Sequence, residues 1–134
     1  MIKEAEYAFM ILDELYKESP LSAAELSSRK NIPSPFIYRV LKKLEAADIL
    51  SIRRGAHGGY RLKGDCRDMT LFDVISAFDN TFLVIECMKP QYDCARNHDD
   101  GCCLHREYAR IQSLLKREFK QKTLDALFSD TTSG

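Results

Sequence analysis

The sequence predicts a mainly α-helical fold carrying one small β-hairpin. Three observations lead there: apolar residues recur at helical spacing in several stretches, capping and breaking residues bound those stretches, and one glycine-rich turn lies between two short β-prone runs. At 134 residues, 45% hydrophobic and 30% charged, the chain has the profile of one globular domain.

Ala5, Ala8, Phe9, Leu12, Leu15 and Tyr16 step by threes and fours, which predicts an amphipathic helix over about residues 3–18, ended by Ser19-Pro20. Ser22-Ala23-Ala24-Glu25 spells a capping box and starts a short helix to about Lys30. Asn31-Ile32-Pro33 breaks that helix. Ser34 as N-cap and Pro35 as first helical residue then open a third helix, with Ile37, Val40, Leu41 and Leu44 on its apolar face. From Ile49 the period changes: Ile49 to Ile52 and Tyr60 to Leu62 read as strands, joined through Gly55-Ala56-His57-Gly58-Gly59.

Thr70 and Asp73 cap a further helix running through Val74, Ile75 and Phe78 to Asp79-Asn80, and an apolar run from Thr81 to Ile85 follows. Cys87 to Cys103 has no hydrophobic period and reads as a loop. Leu104, Tyr108, Ile111, Leu115 and Phe119 then mark a long C-terminal helix with an apolar stripe that it cannot bury alone. Either the first helix or a second subunit must cover it, and a homodimer is favoured. The tail, Thr131 to Gly134, is expected to be disordered.

The net charge of zero conceals a segregation. Arg29, Lys30, Arg39, Lys42, Lys43, Arg53, Arg54, Arg61 and Lys63 face only Glu45 and Asp48 within residues 29–63, a local +7 against −7 elsewhere. That is the footprint of a surface facing phosphates, and with the element order it predicts a winged helix-turn-helix binding double-stranded DNA. In such a motif the second helix of the pair lies in the major groove. At 100° per residue its outward face holds Pro35, Arg39, Lys42 and Ala46, flanked by Ser34, Tyr38 and Lys43. Arg39 is the best placed base reader, since an arginine donates two hydrogen bonds to guanine, whereas Lys42 and Lys43 sit nearer the phosphates. On the wing, Arg53, Arg54 and His57 reach the duplex, and Gly58 lets the turn approach it.

Organisation follows from the same reading: a DNA-binding region over 1–66, then helix, cysteine-rich loop and dimerisation helix over 67–130, then the tail 131–134. No stretch longer than the eight uncharged residues 31–38 exists, against the roughly 18 apolar residues that a membrane span needs. The N-terminus has no basic start, apolar run and cleavage site of a secretory signal, so a cytoplasmic location is expected, where thiols stay reduced. Five cysteines, an odd number, then point to metal or redox chemistry rather than to a disulfide framework. Cys87, Cys94 and Cys102, with His105 two residues beyond the last pair, offer three thiolates and an imidazole, and Cys103 could replace Cys102. An iron–sulfur cluster or a tetrahedral zinc ion would accept that set. Cys66, outside the loop, reads as an ordinary thiol.

Arg53-Arg54-Gly55-Ala56-His57-Gly58-Gly59-Tyr60-Arg61-Leu62 resembles the wing signature of the bacterial IscR and NsrR type of winged-helix transcription regulators. Glu6-Tyr7-Ala8, Met69-Thr70-Leu71 with Val74-Ile75, the cysteine loop and the long final helix extend the likeness over nearly the whole chain. The resemblance implies a homodimer on a palindromic operator, in which some members hold an iron–sulfur cluster through three loop cysteines. It places His105 at the histidine ligand of the iron–sulfur-biogenesis regulators. It also places Glu6 where the nitric-oxide-sensing regulators supply an aspartate from the partner subunit. The cysteine spacings here are longer than in the family, and Tyr38-Arg39 replaces a polar Glu-Gln pair of relatives, so the operator does not carry over.

A regulator controlled by a cluster is therefore expected, with a metal-free cysteine redox switch and a zinc-binding interaction module as alternatives. An enzyme is not expected: the sequence carries no phosphate loop, nucleophile motif or acid–base pair in a recognisable scaffold.

Overall fold

The structure, a computed structural model, describes residues 3–79 and 103–130. The apolar run 81–85, the loop with Cys87, Cys94 and Cys102, and the tail 131–134 lie outside the described residues. In chain order the elements are α1 (Lys3–Lys17), α2 (Ala23–Lys30), α3 (Ser34–Ala46), β1 (Leu50–Arg53), β2 (Gly59–Leu62), a 3₁₀ turn (Cys66–Asp68), α4 (Leu71–Ser76), α5 (Cys103–Phe119) and α6 (Leu124–Phe128). The mainly helical fold with one hairpin is as the periodicities predict.

The apolar spacings translate directly into the core. Ala8, Ile11, Leu12 and Leu15 of α1 meet Ile37, Val40, Leu41 and Leu44 of α3, with Leu21, Leu26, Ile32, Ile49 and Leu50 closing the sides. Each of these large side chains contributes about 1.5–3 kcal/mol by leaving water. The α2–α3 turn is tight because Asn31 adopts a left-handed conformation (φ 53°) and Ser27 Oγ donates to the Ile32 carbonyl at 2.6 Å. The Ser22–Glu25 capping box forms as expected, at 3.1 and 3.2 Å.

The cap of α3 differs from expectation. Pro33 is the N-cap residue and Ser34 already lies inside the helix, with Pro35 at the second position; the Pro33 carbonyl accepts from the amides of Phe36 and Ile37. Pro33 needs no donor of its own there, which is why the helix tolerates starting one residue early.

β1 and β2 pair antiparallel with Leu50 opposite Leu62 and Arg53 opposite Gly59. The base of the hairpin is tied to the body through Leu21, which exchanges backbone hydrogen bonds with Tyr60 at 2.8 and 3.1 Å. Gly59 (φ 139°) is required at this crossing, since a Cβ would lie 2.9 Å from the Leu21 carbonyl oxygen. Within the turn, a Cβ on Gly58 would lie only 2.0 Å from the Arg53 carbonyl oxygen.

α4 ends at Ser76 rather than at Asp79-Asn80. Its last turn tightens through bonds from Ala77 to Val74 and Phe78 to Ile75, while Ser76 Oγ donates to the Phe72 carbonyl at 2.7 Å. α5 starts at Cys103, inside the stretch that the sequence reads as loop, and packs on α4. Its inward residue is Gln112, about 60° round the helix from the middle of the expected stripe, so Leu104 and Leu114 stay exposed and Ile111 half-exposed.

The short helix α6 is not predicted by the apolar spacings. Thr123 caps it, accepting from the Ala126 amide at 3.1 Å, and Leu124 enters the core. The Leu124 amide donates to the Met69 carbonyl at 2.7 Å, and Tyr16 donates to Asp125 at 2.8 Å, fastening the chain's end to the 3₁₀ turn and to α1.

Candidate nucleic-acid interface

Burying Ile37, Val40, Leu41 and Leu44 leaves Ser34, Pro35, Tyr38, Arg39 and Lys42 exposed on the other side of α3, with Lys43 at the edge against α1. The outward face is the one that the helical period predicts. Tyr38 is 62% exposed, a large ring left on the outer face of the helix.

Arg39 and Lys43 do not project freely. The Glu4 carboxylate, on the first turn of α1 and only 12% exposed, accepts from Arg39 Nη1 at 3.1 Å on one oxygen and from Lys43 Nζ at 2.6 Å on the other. Lys43 first, and Arg39 after it, hold the Glu4 carboxyl below its ordinary value against the upward push of burial. The Arg39 guanidinium also lies 5.4 Å from the centre of the Phe36 ring, and Phe36 rests on Tyr7 of α1 at 5.6 Å. Lys43 lies 5.5 Å from the Phe78 ring, at the end of α4. Sequence reasoning missed Glu4 altogether, because nothing local to Lys3-Glu4-Ala5 signals a contact with residues 35 and 39 positions away.

The same pairing occurs elsewhere in the basic stretch. Arg29 meets Glu14, Glu18 and Glu25; Lys30 meets Glu14; Lys63 meets Asp48. Within residues 29–63, Lys42, Arg53 and Arg54 are the exposed cations that pair with no carboxylate among the described residues. Two of these three stand on the wing.

On that wing Arg53, Arg54 and His57 are all exposed around a turn in which the Gly58 amide donates to the Gly55 carbonyl at 3.0 Å. Gly58 therefore spends its one donor on the shape of the turn. The base of the wing meets α3 through β1 and α1 through β2. On β2, Tyr60 is half-buried against the core: burial pushes its phenol up, with Glu45 and Tyr38 adding and Arg54 opposing.

Of the expected sensor residues, Cys87, Cys94 and Cys102 lie outside the described residues. Cys103 opens α5 and is exposed, His105 is half-buried in the first turn of the same helix, and Glu6 is exposed on α1 beside Lys3 at 3.6 Å. Among the described residues no three His, Cys, Asp or Glu side chains converge on one point. Cys66 is buried in the core, and that burial, with Asp125 and Asp65 nearby, pushes its thiol up to about 11. It is an inert thiol at neutral pH.

No helix among the described residues is long and apolar enough to cross a membrane. A family model described as Rrf2, iron-dependent transcriptional regulator, matches residues 1–130. The chain is 28% identical over 114 residues to the transcriptional regulator IscR of Vibrio vulnificus, covering 85% of this chain and 66% of that protein, so it spans about two-thirds of that relative's length. The solved structure of CymR, the global cysteine regulator of B. subtilis, superposes with a TM-score of 0.77 at 21% identity over 96% of this chain and 95% of that one. IscR of T. potens superposes with a TM-score of 0.71 at 19% identity, covering 97% and 86%. These likenesses establish the winged-helix fold, and the relatives are regulators of transcription, not enzymes. With a family model spanning nearly all of its residues, the chain belongs to the Rrf2 family of transcriptional regulators.

Proposed function

We propose that the protein is a homodimeric regulator that reads a palindromic operator with the outward face of α3 and grips the flanking backbone with the β1–β2 wing. The observation that carries this is the group of uncompensated cations, Lys42, Arg53 and Arg54, set beside the exposed Tyr38 and the fixed Arg39. Arg39 and Tyr38 address base edges; Lys42, Lys43, Arg53, Arg54 and His57 address phosphates or the neighbouring groove; Ser34, Pro35 and Gly58 shape the approach. Binding-site selection from a random duplex library is expected to return a palindrome, with log affinity falling linearly against log salt. Binding insensitive to salt would instead favour a protein-interaction module.

The dimer is supported by α5, which faces inward along Gln112 and leaves Leu104, Ile111 and Leu114 on its outer flank. An apolar flank of that kind on a long helix suits a second copy. Ile111→Asp should dissociate the protein in sedimentation. A well-folded monomer of the unmodified protein at micromolar concentration would remove the dimer from the reading.

Control is proposed to reside in an iron–sulfur cluster held by Cys87, Cys94, Cys102 and His105, with Cys103 as alternative thiolate and Glu6 of the partner subunit as alternative fourth ligand. The donor set, soft thiolates with one imidazole, fits such a cluster, which would supply redox or ligand sensitivity when bound. Anaerobic purification followed by visible absorption and iron and sulfide assay tests it, and Cys87→Ser, Cys94→Ser or Cys102→Ser should each abolish most absorbance while Cys66→Ser leaves it intact. A second reading, a metal-free thiol switch, is favoured by the exposure of Cys103 beside the loop. Protein without iron despite iron and sulfide supply, whose DNA binding changes on peroxide treatment, would select it.

A further inference from the structure

We infer that Glu4 is a positioning residue for sequence discrimination: it fixes Arg39 for base reading and removes one unit of charge from the α3 face, so that this face distinguishes sequences rather than attracting phosphates in general. The inference rests on the DNA reading above and assigns to α1 a part in specificity.

The geometry supports it in three ways. Glu4 uses both carboxylate oxygens, one for each cation, so its position is set from two sides. It engages only Nη1 of Arg39, leaving the other guanidinium nitrogens for a base edge, and the Phe36 ring beside the guanidinium limits its swing. A fork held in this way loses less conformational entropy on meeting a guanine than a free arginine would. Finally, Lys43, the shorter contact at 2.6 Å, is compensated by Glu4, whereas Lys42 one residue earlier is not. A half-buried carboxylate beside two cations leaves the trio at +1 instead of +2, and phosphate attraction depends on that charge.

The test compares the unmodified full chain with Glu4→Gln on two duplexes, the one selected from a random library by the unmodified protein and a scrambled duplex of equal composition. Glu4→Gln is expected to bind the scrambled duplex more tightly, with a salt slope steeper by about 0.9, one further phosphate neutralised. The affinity ratio between selected and scrambled duplex should fall roughly tenfold, within the share one two-pronged base contact carries. A merely structural Glu4 would weaken both duplexes in parallel, and that result, or an unchanged ratio and slope, overturns the inference. Failure of the unmodified protein to prefer any sequence would overturn the DNA reading itself, which keeps the two apart. Should Glu4→Gln not fold, Lys43→Gln serves: the Glu4–Arg39 contact remains, so both affinities should drop while the ratio holds within about twofold. A lost ratio in that variant would overturn the assignment to Glu4.

Discussion

The α3 face and the wing tip draw their cations from the same basic stretch of sequence, yet the fold treats them differently. On α3, Arg39 and Lys43 are held by a carboxylate from another helix, and Arg39 lies beside an aromatic ring. On the wing, Arg53 and Arg54 stand exposed with no carboxylate partner among the described residues. A fixed guanidinium suits recognition of one base edge, where direction matters. Unpaired cations suit phosphates, where charge alone decides. The difference teaches that the +7 of residues 29–63 is not the charge that a duplex would meet, because acids from α1 neutralise part of it.

The largest effect should come from the unpaired pair. Arg53→Ala with Arg54→Ala is expected to lower the slope of log affinity against log salt by roughly 1.8, at about 0.9 for each phosphate no longer neutralised, and to weaken all sequences alike. An unaltered slope would take the wing off the DNA and dissolve the contrast. Arg39→Ala should do the opposite in kind: a loss of about 1–3 kcal/mol concentrated at one operator position, seen as relaxed preference there in a binding-site selection. Unchanged preference would mean that the recognition helix is oriented otherwise. Lys42→Ala, which removes a free cation from the α3 side, is expected to behave like half of the wing double variant, with a slope change of about 0.9 and no shift in preference.

The sequence made this contrast only half legible. Periodicity located the core face of α3, and hence its outward face, because Ile37, Val40, Leu41 and Leu44 follow one helical stripe. The wing was legible because Gly58 and Gly59 meet steric demands that other residues fail. Compensation of charge was not, since the acids hydrogen-bonded to Arg29, Arg39, Lys43 and Lys63 lie from 11 to 39 positions away, beyond any local pattern. α6 escaped for a different reason: five residues give no period, although Thr123 followed by Leu124, Leu127 and Phe128 carries a cap and a short apolar step. In α5 the apolar stripe located the helix but not the residue that packs on the body, because α4 meets a side about 60° away, where Gln112 is buried.

The smallest expected effect separates the two regions by pH. Residues 51–62, which include both strands' outer parts and the wing turn, contain no Asp or Glu, so no carboxylate there can lend acid-sensitive stability. Glu4 and Glu14, in contrast, have carboxyls held below the ordinary value of 4.5, chiefly by Lys43 and by Lys30. A carboxyl lowered on folding contributes stability that is complete above its unfolded value and is lost as pH falls through its folded value. The stability gap between the unmodified protein and Glu4→Gln should therefore be constant from neutral pH down to about 5 and close below 4.5, since the glutamine takes up no proton there. Its size should be about 1 kcal/mol or less, because Arg39 and Lys43 remain 55% and 42% exposed and water screens the attraction. Urea midpoints of both proteins across this range measure the gap. One that persisted unchanged well below pH 4 would assign the role of Glu4 to its packing rather than to its charge, and would leave the α3 face no more carboxylate-controlled than the wing.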